Sequence, residues 1–351
     1  RKTHLYLFDV AAKKLDTLTR GTHDETGAVI SPDGKRVAYV SNITADPDLN
    51  ENTDVFLLDI ASGTREQVTT YAGENGMPRF SPDGKLLSYT QSTTESGFNM
   101  YEHSRLWVFD IASKNTRCLS ESLDRSVSNA AWSPDSRHIA FLRFDDRPVP
   151  EFPIYHAEAA DMTHGYLEIQ RYPKSGDPLP VVKLGVVDVQ SGAHTWMAQD
   201  PQLEYTAWVY WTPENKLLFH QLHRDQNLLR LYLGDPATGK TRVVYEETRP
   251  TWVEFYEDIT FLGGNKGFIL RSYRNDWENL YHYDYDGKLV RQITQVAWRV
   301  TGIVQIDEKT GKIFFTGTGP ECTGTESHLF VVNLDGSGLR QLTTGAGTHR
   351  C

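Results

Sequence analysis

Cysteine is scarce in this chain of 351 residues, with only Cys118, Cys322 and Cys351. An odd number without metal-type spacing excludes a dense disulfide framework and a cysteine zinc site, and three unpaired thiols are expected, with at most one pair bridged. No apolar run approaches the roughly 18 to 20 residues that cross a bilayer, so no membrane span is expected. A leader peptide is also not seen, because the opening RKTHLYLFDV already reads as a strand. The pentapeptide Gly-x-Ser-x-Gly, the sharp strand-to-helix turn that exposes a nucleophilic serine, is missing. Its nearest approach, GSGLR (336–340), falls in a polar hairpin turn, and none of the 12 histidines sits in a nucleophile context. The chain by itself is therefore expected not to be an enzyme. Basic residues are scattered and outnumbered, 36 against 46 acidic, for a net charge of −10. That balance argues against a nucleic-acid face.

Metal and cofactor signals are equally thin. DPDLNENTD (46–54) alternates oxygen side chains as a calcium loop does, but lacks the central glycine and the closing glutamate. A solvated loop is the expectation. His220 and His223 would face opposite sides of an alternating strand and could not share a metal. No metal and no cofactor are expected.

Aromatic residues are plentiful: 17 Tyr, 15 Phe and 8 Trp favour strands and supply a large core. They fall in a repeat that runs along the chain. One half-unit is a strand, a Ser-Pro-Asp-Gly-Lys turn and an alternating strand, as in AVISPDGKRVAYV (28–40), PRFSPDGKLLSYT (78–90) and AAWSPDSRHIAFL (130–142). Weaker copies are VYWTPENKLLFHQ (209–221), ITFLGGNKGFILR (259–271) and VQIDEKTGKIFFT (304–316). The other half-unit is a strand running into Asp or Asn, a short turn, and a polar strand that often ends near Leu-Thr. It recurs from LYLFDVAAKKLDTLT (5–19) and VFLLDIASGTREQVT (55–69) to LFVVNLDGSGLRQLT (329–343). Pro presets the first corner of such a turn, Asp bonds its own backbone, and Gly takes the left-handed corner. Two hairpins make four strands. Ser31, Ser81 and Ser133 are spaced by 50 and 52 residues, the length of one propeller blade.

The expected fold is all-β, a β-propeller of four-stranded antiparallel blades. Seven outer and six inner hairpins predict seven blades, with eight the alternative and the first blade incomplete at the N-terminus. GAGTHRC (345–351) reads as the start of a further inner strand. From Ser133 to Thr212 the spacing stretches to 79 residues. The surplus, 143–180, is a proline-rich excursion from a blade, expected to hold an extended segment and one short helical turn. Residues 1–351 are thus expected to form a single propeller domain, with blades of one type over 1–140 and of a second type over 181–351.

The excursion and the blades C-terminal to it carry a family resemblance. RFDDRPVPEFPIYH with RYPKSGDPLPVVKLGVVDV, then WVEFYEDITFL (252–262) and SYRNDWENLYHYDYDGKLVRQIT (272–294), resemble propellers of the dipeptidyl peptidase IV family, including bacterial prolyl tripeptidyl peptidases. NITADPDLNENTDVFLLDIASG and LDRSVSNAAWSPDSRHIAF, within 1–140, resemble the acylaminoacyl peptidase and dipeptidyl peptidase V branch of the same prolyl oligopeptidase clan. The character changes near Phe141. A divergent natural chain and a hybrid of two relatives both accommodate this, and a start in mid-blade favours the hybrid. The resemblance implies a propeller seated over an α/β-hydrolase catalytic domain as partner. It would gate and select peptide substrates for a serine exopeptidase, outside the cytoplasm in a bacterial parent. An engineered scaffold without ligand and a protein-interaction propeller are the alternatives. By resemblance, Glu121, Trp252 and Glu254 are the candidate substrate-binding residues. In CLSESLDRSVSNAAWSP, Glu121 takes the place of the first member of the family's glutamate pair, but Ser122 stands where the second would be. Trp252 is expected chiefly to fill space between blades.

Overall fold

The structure, a computed structural model, describes residues 2–94, 103–157, 164–255, 257–320 and 325–349. It divides into two compact units, Arg1–Trp196 and Met197–Cys351. Among the described residues nearly all regular structure is strand, the exception being one 3-10 turn at Pro47–Leu49.

The first unit begins with a two-stranded sheet, β1 (Tyr6–Asp9) against β2 (Lys14–Thr17). A four-stranded antiparallel meander comes next: β3 (Glu25–Ile30), β4 (Arg36–Ser41), β5 (Asp54–Asp59) and β6 (Arg65–Gln67). The second has the same order: β7 (Asn75–Phe80), β8 (Leu86–Ser92), β9 (Ser104–Asp110) and β10 (Thr116–Cys118). In the third, β11 (Val127–Trp132) and β12 (His138–Asp145) precede a separate hairpin, β13 (Glu151–His156) with β14 (Tyr166–Arg171). The sheet then resumes with β15 (Val181–Asp188) and β16 (His194–Trp196).

The second unit holds three more such meanders. The first is β17 (Tyr205–Trp211), β18 (Leu217–Leu222), β19 (Leu228–Gly234) and β20 (Thr241–Thr248). The second is β21 (Thr260–Leu262), β22 (Gly267–Ser272), β23 (Asn279–Tyr283) and β24 (Leu289–Gln292). The last is β25 (Val300–Asp307), β26 (Lys312–Gly317), β27 (His328–Asn333) and β28 (Arg340–Gln341). These are the four-stranded blades of a β-propeller, and each hairpin read from the repeat is present. Near the C-terminus Thr348 makes an isolated parallel bridge to Ser327.

The repeat's chemistry accounts for each hairpin. Ser31 Oγ donates to Asp33 Oδ1 at 2.6 Å, Asp33 Oδ1 accepts from the Lys35 N–H at 3.1 Å, and Gly34 takes the left-handed corner at φ 70°. The Ser31 hydroxyl and the Lys35 amide hold the exposed Asp33 carboxyl below its usual range. The Leu-Thr endings have a role of their own. Thr69 Oγ1 accepts from the Val55 N–H at 2.9 Å, and the same bond recurs at Ser120 to Leu106, Thr294 to Leu280 and Thr343 to Leu329. Each hydroxyl satisfies an amide at the start of a third strand that would otherwise be buried without a partner.

Burial follows alternation. Ala38, Val55, Leu57, Leu87, Tyr89 and Phe109 pack into one cluster, and Leu106, Val108, Ile139, Phe141 and Val187 into another. Each fully buried Leu or Phe contributes about 1.5–3 kcal/mol. Trp132 Nε1 donates to Ser88 Oγ at 2.9 Å and ties β11 to the preceding sheet.

The excursion departs from expectation. β12 continues to Asp145, so the chain leaves the sheet only there, and the described part of the excursion is a β-hairpin. Within the described residues it contains no helical turn, and residues 158–163 lie outside them. The alternation EFPIYH against YLEIQR accounts for a hairpin. Asp145, 8% exposed, anchors its start by accepting from Arg125 Nε at 3.3 Å and Arg147 Nε at 2.8 Å.

Candidate functional site

Of the three residues the resemblance singles out, Glu121 belongs to the first unit. It is exposed in the turn after β10, beside Ser120, whose hydroxyl is used on the Leu106 amide. Nearby Cys118 is unbonded and half-buried, and burial pushes its thiol up, against reactivity. Cys322 and Cys351 lie outside the described residues.

Trp252 and Glu254 share the loop that joins β20 to β21 in the second unit. Its course is fixed by backbone bonds, Arg249 N–H to Asn227 O at 2.9 Å and Val253 N–H to Gln226 O at 2.8 Å. Val253 takes the fully buried position, so its neighbours on either side turn outward. Trp252 is 50% exposed, and the space-filling role expected of it falls to Val253 instead. Trp277 and Tyr273, in the loop after β22, are also substantially exposed, and the Arg249 guanidinium lies 5.4 Å over the Tyr273 ring. The exposed aromatics and cations make this edge suited to contact.

Glu254 borders a small cavity beneath the loop, about 20 Å³, lined also by His220, Tyr245, Glu247, Phe255 and Arg271. His220, Leu231 and Tyr245 are paired across β18, β19 and β20, and Glu247 comes two residues after Tyr245, so these side chains share a face. That face packs on β22 and β23. Ser272 Oγ donates to Glu247 Oε2 at 2.8 Å, and the Tyr245 hydroxyl donates to the same oxygen. Arg274 closes the network from the other side, donating to Tyr245 OH at 2.9 Å, Tyr283 OH at 2.6 Å and Ser272 Oγ at 3.1 Å. Its guanidinium lies 4.2 Å from the Tyr281 ring centre. Burial, reinforced by the Glu247 carboxylate, pushes the Tyr245 phenol far above its usual range, which keeps its proton for donation. Arg271 is held by Asp258 through bonds of 2.8–2.9 Å.

His220 is 4% exposed, and burial drives its pKa down to about 4, so its ring is neutral. Its ring meets that of Trp208 edge-on at 5.7 Å between centres, and Trp208 sits at a β-bulge with φ 44°. Bulges re-aim backbone and side chains locally. His223 lies just past β18 and accepts from the Asp225 N–H at 3.2 Å, so the two histidines are not arranged together. The 46–54 segment is organised around Asn50, which accepts from Asn42 Nδ2 at 2.9 Å and donates to Thr44 Oγ1 at 3.0 Å. GSGLR falls in the β27–β28 turn, as its polarity indicated.

Sequence patterning did not single out Glu247, Ser272 or Arg274. The available signal was polarity at inward positions, Glu247 two residues beyond Tyr245 and Arg274 two beyond Ser272.

The sequence profile described as the dipeptidyl peptidase IV N-terminal region matches residues 120–351. The chain belongs to that family. A second profile, the TolB β-propeller domain, matches residues 1–148. The two overlap across 120–148, a stretch that includes Phe141. Among curated relatives, dipeptidyl-aminopeptidase B of Aspergillus niger is 26% identical over 277 residues, 72% of this chain and 29% of its own length. Inactive dipeptidyl peptidase 10 of Mus musculus is 29% identical over 220 residues, 58% of this chain and 27% of its own. The chain thus spans under a third of these relatives. Among solved structures, dipeptidyl peptidase 4 of Porphyromonas gingivalis superposes with a TM-score of 0.78 at 18% identity, covering 99% of this chain and 51% of that one. The Pyrococcus horikoshii acylaminoacyl peptidase gives 0.52 at 17% identity, with 93% and 47% covered. At these identities the likeness is one of fold, and the family itself rests on the profile match. Among the described residues no helix is long and apolar enough to cross a membrane.

Proposed function

We propose that this dipeptidyl peptidase IV-type propeller gates and selects peptide substrates for a serine exopeptidase whose α/β-hydrolase domain is its partner. The observation that carries this reading is the family match over 120–351. The loop edge of the second unit supports it: Trp252 offers an exposed apolar face, and the Glu254 carboxylate two residues on is exposed, as a group meeting a peptide's amino terminus would have to be. Glu121 is the corresponding candidate in the first unit, with Ser122 beside it instead of a second glutamate. The contribution is binding and steric restriction, and no bond is made or broken by these residues.

The test is anisotropy of short labelled peptides with a free or an acetylated N-terminus. Tighter binding of the free amine, weakened by Glu254→Gln or Glu121→Gln, is expected. Equal binding of both peptides by the native chain and both variants would sink the reading.

A second reading is favoured by one observation. A relative that carries this region is named as inactive, so the propeller can occur in a protein without peptidase activity, and here it would serve as an interaction module. Peptide binding without any preference at the amino terminus is what that reading expects.

A further inference from the structure

A second cavity of the second unit lies at the other end of β20 from the Trp252–Glu254 loop. It measures about 400 Å³ and forms where the β17–β18, β21–β22 and β23–β24 turns meet β19 and β20. That is the size of a ligand pocket. The Asn265 N–H ties two of these turns together by donating to Glu214 Oε1 at 3.0 Å. Two polar atoms of the lining are left over. Glu214 Oε2 is buried without a hydrogen-bond partner, and so is the hydroxyl of Tyr285, a residue 8% exposed. Burial, reinforced by the Glu214 carboxylate, holds the Tyr285 phenol above its usual range, so it keeps its proton. The cavity thus presents an unmet acceptor and an unmet hydroxyl, and leaving such groups buried and unpaired is costly.

A ligand hydroxyl answers both with one group, donating to Glu214 Oε2 and accepting from Tyr285. A divalent cation fits poorly. Lys216 and Arg242 stand in the same lining, and among the described residues no three His, Cys, Asp or Glu side chains are grouped to hold a metal. A nucleobase fits poorly too, because the ring in the lining, that of Tyr285, is buried and leaves no open face for stacking. Lys216 and Arg242, with Leu233, also line a cavity of about 310 Å³ that Lys240 borders. Their partners are Asp235 at 3.3 Å and Asp286 at 3.0 Å. Both pairs are solvent-exposed, and such pairs hold weakly, so a ligand anion can join or replace the aspartates at little cost. We infer that this cleft binds an acidic saccharide, its hydroxyls meeting Glu214 and Tyr285 and its anionic group meeting Lys216 and Arg242. Leu233 supplies an apolar wall for the C–H face of the sugar. The inference does not rest on the peptide-selection reading, which concerns the loop at the other end of β20.

The experiment is a saturation-transfer NMR titration of the whole chain at fixed ionic strength and neutral pH, with glucuronate, glucose and acetate as probes. Saturable binding of glucuronate is expected, with glucose about tenfold weaker for want of the contact to charge. Tyr285→Phe removes a hydroxyl that bonds nothing in the fold, and it should weaken glucuronate about fivefold, the worth of one hydrogen bond. Arg242→Gln, on an exposed side chain, should weaken glucuronate and leave glucose unchanged. An absence of saturable glucuronate binding would overturn the proposal, and the cleft would then hold water only. Glucose or acetate binding as tightly as glucuronate would overturn it as well, and so would glucuronate binding left intact in both variants. Glucose 6-phosphate separates the sources of the charge: tighter binding than glucuronate assigns the site to sugar phosphates, and weaker binding assigns it to uronic acids.

Discussion

Ser272 donates its hydroxyl to Glu247 Oε2 across 2.8 Å, joining β22 to β20 of the neighbouring sheet through a carboxylate. Arg274 donates to that same hydroxyl and to Tyr245, so opposite charges from two sheets are linked through two neutral groups. Ser272 is fully buried, and its replacement by alanine removes a donor to a charged group without relieving the burial. Ser272→Ala is expected to lower stability by about 1–3 kcal/mol, read from urea midpoints. A change under about 0.5 kcal/mol, within the range of a neutral surface substitution, would show that Tyr245 alone suffices.

The hydroxyls that follow four of the outer strands give a second prediction. Thr69 accepts from the Val55 amide and donates to Asp54 Oδ1 at 2.7 Å. Thr69→Val keeps the shape and strands both partners, at a cost of about 1–3 kcal/mol. Hydrogen exchange should quicken at the Val55 amide in particular. Unaltered exchange there would refute the role assigned to the Leu-Thr endings.

His220 sets a pH dependence. Its folded pKa of about 4 lies below the unfolded value of roughly 6.5, so between the two the unfolded chain binds the extra proton. Its contribution is present above about pH 6.5, declines as pH falls, and is lost on passing about pH 4. The effect is on the order of 3 kcal/mol from the size of the shift. Unfolding midpoints at several pH values should fall less steeply with acid in His220→Leu than in the native chain. Parallel curves would place the acid sensitivity elsewhere.

Backbone geometry yields the sharpest prediction. Gly267 opens β22 at φ 99°, and a Cβ there would sit 2.0 Å from the Tyr283 carbonyl oxygen. Gly267→Ala must distort the β22–β23 pairing, and a loss of about 4 kcal/mol or more is expected, of the kind reserved for severe backbone conflicts. A melting temperature equal to that of the native chain would contradict the turn geometry at 263–267.

The hairpins were legible because their turns are local chemistry: Ser, Asp and Gly within five residues specify the corner, and alternation specifies the buried face. Even the degenerate copy ITFLGGNKGFILR keeps glycines at the left-handed corner and at Gly267. The excursion was misread in part, since proline and mixed polarity do not separate a short helix from the hairpin that EFPIYH and YLEIQR make by pairing. Trp252, expected chiefly to fill space, is half exposed because Val253, whose N–H donates to the Gln226 carbonyl, takes the buried position, and that contact is not local in sequence. The Glu247 network was invisible for the same reason. Its members come from β20, β22, β23 and the loop after β22, and single-strand polarity does not announce a carboxylate shared between sheets. Glu254 was named by resemblance, whereas the cavity it borders is lined from separate strands and the loop, from His220 to Arg271, which no short-range signature announces.

Asp145 and Val181 face each other in the last pair of the β12–β15 ladder, although 35 residues separate them along the chain. The register of that sheet is therefore set by its own pairs and by the Arg125–Asp145–Arg147 anchor, independently of what the chain does in between. The cost of closing such a loop grows only with the logarithm of its length, roughly 0.6 kcal/mol per doubling. This position is accordingly a splice point, where an appendage can lengthen, shorten or be exchanged between lineages while the blade beneath it keeps its geometry.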